Sequence, residues 1–177
     1  MQRRTIIKQL AFASGALLLI PSCMEDKSKA SILLNKIRID GDQEKLLAEL
    51  AETIIPKTDN PGAKDVSAHL FVLMMVDDCY KQEDQQKFMA GLEAFHKKSK
   101  KEFSKSFIDC TQDERARFLT DIDGKKSGDD NLDYFYATVK KLTIQGYTTS
   151  KYFLTKVQVY QLIPGHFSGC VPVKNAS

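Results

Sequence analysis

Apolar residues recur at three- and four-residue spacing through most of the chain, the period of helices with one buried face. Leu46, Leu47, Leu50, Ala51, Ile54 and Ile55 mark the first run. Asp42 reads as its N-cap and Pro56 as its stop. Residues 56–63, Pro-Lys-Thr-Asp-Asn-Pro-Gly-Ala, form a turn-rich loop. A second helix is predicted over about 65–80, and its stretch Leu70 to Val76 is apolar all round, which places it centrally. A third, about 83–102, gathers Phe88, Met89, Leu92 and Phe95 on one face and ends in the basic cluster His96 to Lys101. Thr111 and Glu114 have capping-box spacing and open a short helix carrying Phe118, Leu119 and Ile122. Asp121 to Asn131 reads as a polar loop, and a further helix over about 131–146 carries Leu132, Phe135, Tyr136, Val139 and Leu142.

The flanks differ. Ile32 to Ile39 is short and apolar-rich, a strand or a helical turn. Tyr147 to Val173 mixes Thr, Tyr, Val and aromatics with Pro164-Gly165 and Gly169, and reads as largely irregular with one short helix at most. The expected fold is all-α: a single helical domain of about five helices, residues 42–177, with an extended C-terminal tail. Residues 23–41 are expected to be a tether and residues 1–22 a separate leader.

Composition fits one folded domain: 177 residues, 42% hydrophobic and 28% charged. The net charge of +3 sits entirely in the leader, where Arg3, Arg4 and Lys8 face no acid. The remaining chain is neutral, which excludes the basic stripe that nucleic-acid binding needs. Leu10 to Ile20 is uncharged but shorter than the ~20 residues of a spanning helix, the layout of a secretory signal. Gln2-Arg3-Arg4-Thr5-Ile6-Ile7-Lys8 resembles a twin-arginine export motif. Ile20-Pro21-Ser22-Cys23 resembles a bacterial lipobox, with Cys23 as the lipid attachment and Pro21 as its unusual member. The expected location is the periplasmic face of a bacterial membrane, held by a lipid anchor. The twin-arginine route carries folded proteins, so a chain with no visible cofactor site has reason to use it when it travels with a partner.

Catalytic chemistry is hard to find. His69, His96 and His166 are far apart and none has metal-ligand spacing. There is no Cys-x-x-Cys and no Gly-rich phosphate loop. Gly165-His166-Phe167-Ser168-Gly169 has its Ser one place too late for a nucleophile elbow. Asp121-Ile122-Asp123-Gly124 begins like a calcium loop, but Lys125, Lys126 and Leu132 stand where ligands and the turn Gly belong. Asp77 and Asp78 are adjacent on a helix and cannot act as a carboxylate pair. The Lys-rich run at 97–101 reads as a solvated helix end or a contact for anionic lipid. No catalytic, cofactor-binding or metal-binding residue is singled out. Export permits disulfides, and Cys79 with Cys170 is the pair that would staple the tail to the core. A stand-alone envelope lipoprotein is the alternative reading. An enzyme in its own right would need a site convergent on His69, His96 or His166.

Several segments together resemble one family. Leu50 to Asp65, with Pro56, Thr58, Pro61 and Gly62, looks like the opening signature of the gluconate 2-dehydrogenase subunit 3 family. Gly146-Tyr147-Thr148-Thr149-Ser150, then Tyr160 to Pro164-Gly165, then Gly169-Cys170-Val171-Pro172 resemble its closing signature. Met75 to Tyr80 and Tyr134 to Gly146 also fit, so the resemblance runs from about residue 44 to 173. It implies a small accessory subunit without a redox cofactor of its own. Its partner would be a large FAD-binding dehydrogenase subunit that oxidises a sugar or sugar acid, often with a cytochrome c subunit as electron acceptor. The small subunit would supply the export signal and aid maturation of the flavoprotein. Where the family often has an acidic residue and a Gly after Ser150, this chain has Lys151, Tyr152 and Phe153, which alters the local turn and any partner contact made there. Pro56, Pro61, Gly62 and Pro164-Gly165 are also residues that fix tight turns.

Overall fold

The structure is a computed structural model and describes residues 29–124, 127–158 and 170. Five α-helices follow one another: α1 (Gly41–Ile54), α2 (Ala68–Cys79), α3 (Gln82–Phe103), α4 (Gln112–Gly124) and α5 (Asp130–Thr148). A 3₁₀ turn, Phe107–Asp109, precedes α4, and a π-helical turn, Phe153–Val157, follows α5. The described residues contain no sheet, and the fold is all-α. An isolated bridge pairs Lys29 with Asp40. The expected irregular tail begins two residues later than Tyr147, because α5 runs on through Thr148. Residues 159–169 and 171–177 lie outside the described residues.

Aromatic side chains fill the centre. Phe88, Phe95, Phe107, Phe118 and Phe135 are all fully buried. Phe95 lies 5.0 Å from Phe107, 5.3 Å from Phe118 and 5.6 Å from Phe135 between ring centroids, in tilted and edge-on arrangements that suit the ring quadrupoles. With no Trp in the chain, these rings are the largest fully buried side chains among the described residues. The helices α3 and α5 pack closest. Gly91 allows it: a Cβ there would collide with the Asn131 carbonyl oxygen and the Phe135 Cβ.

The helix ends show where prediction and structure part. Asp40, not Asp42, caps α1: its carboxylate accepts from the Gln43 N–H and the Gln43 amide accepts from the Asp40 N–H. The N-cap thus lies two residues earlier than expected, and Asp42 adds negative charge to the first turn, where the helix dipole favours it. Helix α2 starts at Ala68, because residues 63–67 form turns and Ser67 takes a left-handed conformation with φ of 56°. Thr111 and Glu114 do exchange capping bonds. The segment Asp121 to Gly124 is the last turn of α4 rather than a loop, and Asp123 pairs with Lys140 of α5.

Residues 29–40 are no free tether. They form an arm that bends back on itself, its two ends meeting in the antiparallel Lys29–Asp40 bridge, and it is neither a strand of a sheet nor a helical turn. The Asp77 carboxylate, on the last turn of α2, accepts the backbone N–H groups of Asn35, Lys36 and Ile37 at 2.7–2.8 Å. Asp77 is 2% exposed, and Ile37 is buried beside it. Burial raises the Asp77 pKa, but the three N–H bonds and the Lys36 charge outweigh it and hold the group below its ordinary value. Glu44 fastens the arm again through the Ser31 N–H and hydroxyl. At the same end of α2, the buried Gln85 amide donates to the carbonyls of Val76, Asp77 and Tyr80, which α2 alone leaves unsatisfied.

Candidate functional site

The two signature segments that the structure describes come together at one end of the domain. Pro56 breaks α1, and the loop from Lys57 to Lys64 returns to start α2. Glu52 organises that loop: one carboxylate oxygen accepts the Lys57 N–H at 2.8 Å and the other the Lys64 N–H at 2.9 Å. Gly62 passes so close that a Cβ would strike the Glu52 carboxylate. Within the loop the Thr58 N–H donates to the Asn60 carbonyl, and the Asn60 N–H returns to the Thr58 hydroxyl. Asp65 accepts the Gly62 N–H and pairs with Lys57 at 3.1 Å. The Lys57 bond first, then that of Gly62, keeps the Asp65 carboxyl below its ordinary pKa.

The closing signature meets this loop from the end of α5. The Tyr147 hydroxyl donates to the Pro61 carbonyl at 2.9 Å. The Tyr152 hydroxyl donates to the Asn60 side-chain oxygen at 2.6 Å. Tyr147 packs against Tyr152 and Phe153, with centroids 6.5 and 6.0 Å away. Burial first, and the neighbouring Tyr152 second, raise the Tyr147 pKa above its ordinary value. Ser150 anchors the following turn, its hydroxyl accepting from the Phe153 N–H and its carbonyl from the Leu154 N–H. Tyr152 thereby ties the tail to the loop of its own chain.

Thr58, Pro61, Gly62, Tyr147 and Ser150 therefore share one junction, with Pro56 at its edge. Residues 56–60 are exposed on its crown. Glu52, Asn60 and Asp65 belong to it as well. Their sequence signal is a carboxylate on the last turn of α1 and polar residues flanking a Pro-Gly pair. Tyr160, Pro164, Gly165 and Gly169 lie outside the described residues, as do Arg3, Arg4 and Cys23. Cys79 is exposed at the very end of α2, and no bridge joins it to Cys170 in this structure. Cys110 is buried, and its thiol donates to the Ser106 carbonyl.

The junction is held together by hydrogen bonds of its own. Its hydroxyls and carboxylates are engaged with backbone groups of the same chain, and among its described residues no nucleophile stands beside a base. His69 and His96 are not brought together. His69 is half-buried on α2 with its Nδ1 buried and unpartnered, and burial lowers its pKa. His96 lines a separate cleft of about 630 Å³ with Asp40, Lys45, Leu92 and Ile108. Among the described residues no group of three His, Cys, Asp or Glu side chains could hold a metal ion. No described helix is long and apolar enough to cross a membrane.

The described residues form an all-α domain whose opening and closing segments meet in one junction with an exposed crown. The model of the gluconate 2-dehydrogenase subunit 3 family matches residues 41–165. The chain belongs to that family, and membership points to an accessory role in a dehydrogenase complex. The match opens on the first residue of α1 and stops at Gly165, so Gly169 to Pro172 fall beyond it. Searches of curated proteins and of solved structures found no match.

Proposed function

We propose that this chain is the non-catalytic small subunit of an exported FAD-dependent sugar or sugar-acid dehydrogenase. It binds the large flavoprotein subunit, carries it through the twin-arginine route on its own signal and holds it at the periplasmic face of the membrane through Cys23. FAD belongs to the large subunit, and a cytochrome c subunit is the expected electron acceptor. The junction of the two signature segments supports this reading most directly. Residues 86 positions apart in sequence are hydrogen-bonded to each other, yet the crown they support, residues 56–60, is left exposed. A loop held so firmly and left exposed is a preformed contact surface, which lowers the ordering cost of association.

Export can be tested separately. Replacing Arg3 and Arg4 by Lys in cells that make both subunits should leave both chains, and the dehydrogenase activity, in the cytoplasm. Export of the flavoprotein in that background would contradict the proposal.

A further inference from the structure

We propose that the N-terminal arm is a membrane-facing surface, with Leu33 seated among the headgroups of an anionic bilayer and Lys29 and Arg38 against lipid phosphates. The inference rests on the reading of Cys23 as the lipid anchor and adds to it where the domain touches the membrane. Leu33 is 97% exposed, far more than Met74, Ile144 or Val157, the other large apolar side chains left outside among the described residues. It lines a shallow groove of about 430 Å³ with Ile32, Leu34, Ile37 and the charged Lys29, Arg38 and Asp40. Between Lys29 and Ile39 the chain has three basic residues and no acid. The nearby carboxylates are already engaged: Asp77 with the arm's own N–H groups, Glu44 with Ser31, and Asp40 with the first turn of α1. Lys36 is held on the Asp78 carbonyl, which leaves Lys29 and Arg38 as the cations at the groove.

Chain length supplies the occupant. Six residue steps separate Cys23 from Lys29, a path of about 21 Å at full extension. A domain of this size is roughly 35 Å across. Because Asp77 and Glu44 pin the arm to the body, an anchored chain cannot swing its far side to the bilayer. The arm is the part held nearest the lipid, and its single fully exposed leucine with flanking cations is the composition that suits a headgroup layer.

The chain has no Trp, so Leu33→Trp gives a single reporter at a position where the fold buries nothing. The full-length protein is expressed, the membrane-attached form is extracted in detergent, and it is reconstituted on phosphatidylcholine vesicles with and without phosphatidylglycerol. Co-sedimentation reports attachment, and tryptophan emission with brominated lipid as quencher reports the arm. The expected result is a blue-shifted, quenched emission on anionic vesicles, diminished by adding Lys29→Gln and Arg38→Gln. An Ile144→Trp reporter should show neither change. Attachment with unshifted Leu33→Trp emission overturns the inference and leaves the anchor standing. No attachment overturns both. A blue shift that needs the flavoprotein rather than lipid overturns the inference in favour of a protein contact.

Discussion

A single carboxylate decides how the chain enters its domain. Asp77 sits at the C-terminal end of α2, where the helix dipole disfavours negative charge, and three backbone N–H groups of the arm compensate. Asp77→Ala should destabilise the protein by about 2–4 kcal/mol, since it leaves those donors without a partner. Asp77→Asn, which keeps one acceptor, should cost less. Urea unfolding with trypsin cleavage at Lys29, Lys36 and Arg38 checks both the energy and the release of the arm. The reverse case is Thr143, whose buried hydroxyl has no partner. Thr143→Val keeps the shape without the unmet polar group and should raise stability by roughly 1 kcal/mol, readable as a higher urea midpoint.

These residues also set the pH response. Burial lowers the His69 pKa below its ordinary 6.5. Folding then disfavours the protonated form, so stability should fall as pH drops through 6.5 toward the folded value. Asp77 and Glu49 have folded pKa values below their ordinary 3.8 and 4.5. For Glu49, burial acts upward, and the bonds and charges of Lys64 and Arg115 outweigh it. Their contribution is complete above those values and is lost as pH falls below them. Urea midpoints measured from pH 8 to pH 3 should show both declines, and His69→Gln should flatten the first.

At the scale of elements, the helices were legible because an apolar period of about 3.6 residues, sustained over a dozen or more positions, suits a helix and little else. The predicted apolar faces of α3, α4 and α5 meet at the Phe95 cluster, joined there by Phe107 of the 3₁₀ turn. Boundaries were less legible. Asp40 and Asp42 both look like caps, and only the reciprocal bond with Gln43 distinguishes them. The end of α4 was hidden by the polarity of Asp121 and Asp123, which reads as loop until Lys140 of the neighbouring helix is known. The arm could not be read at all, since its partner is 40 residues away and depends on tertiary structure alone. In the candidate site, Pro56, Pro61 and Gly62 announced a fixed turn, but Glu52 as its organiser and Tyr152 as its clamp required the fold. Close approach makes one element contact especially sensitive: Gly91→Ala should cost about 1–3 kcal/mol by forcing α3 away from α5, seen as a lowered melting temperature.

The whole molecule is a neutral helical body with an N-terminal arm strapped to it and a preformed loop junction on its surface. Neutrality argues that its partner is held by shape and specific contacts more than by long-range charge. The junction supplies the shape, and the leader and Cys23 supply the location in the proposed assembly. Co-purification tests the central claim most directly. A tagged chain recovered from the membrane fraction should bring a large FAD-binding subunit with it in equimolar amount, visible as flavin absorbance. Adding Thr58→Arg and Asp59→Arg on the exposed crown should abolish that recovery while leaving the helical circular dichroism unchanged. A wild-type chain that emerges folded, alone and without flavin would contradict the account.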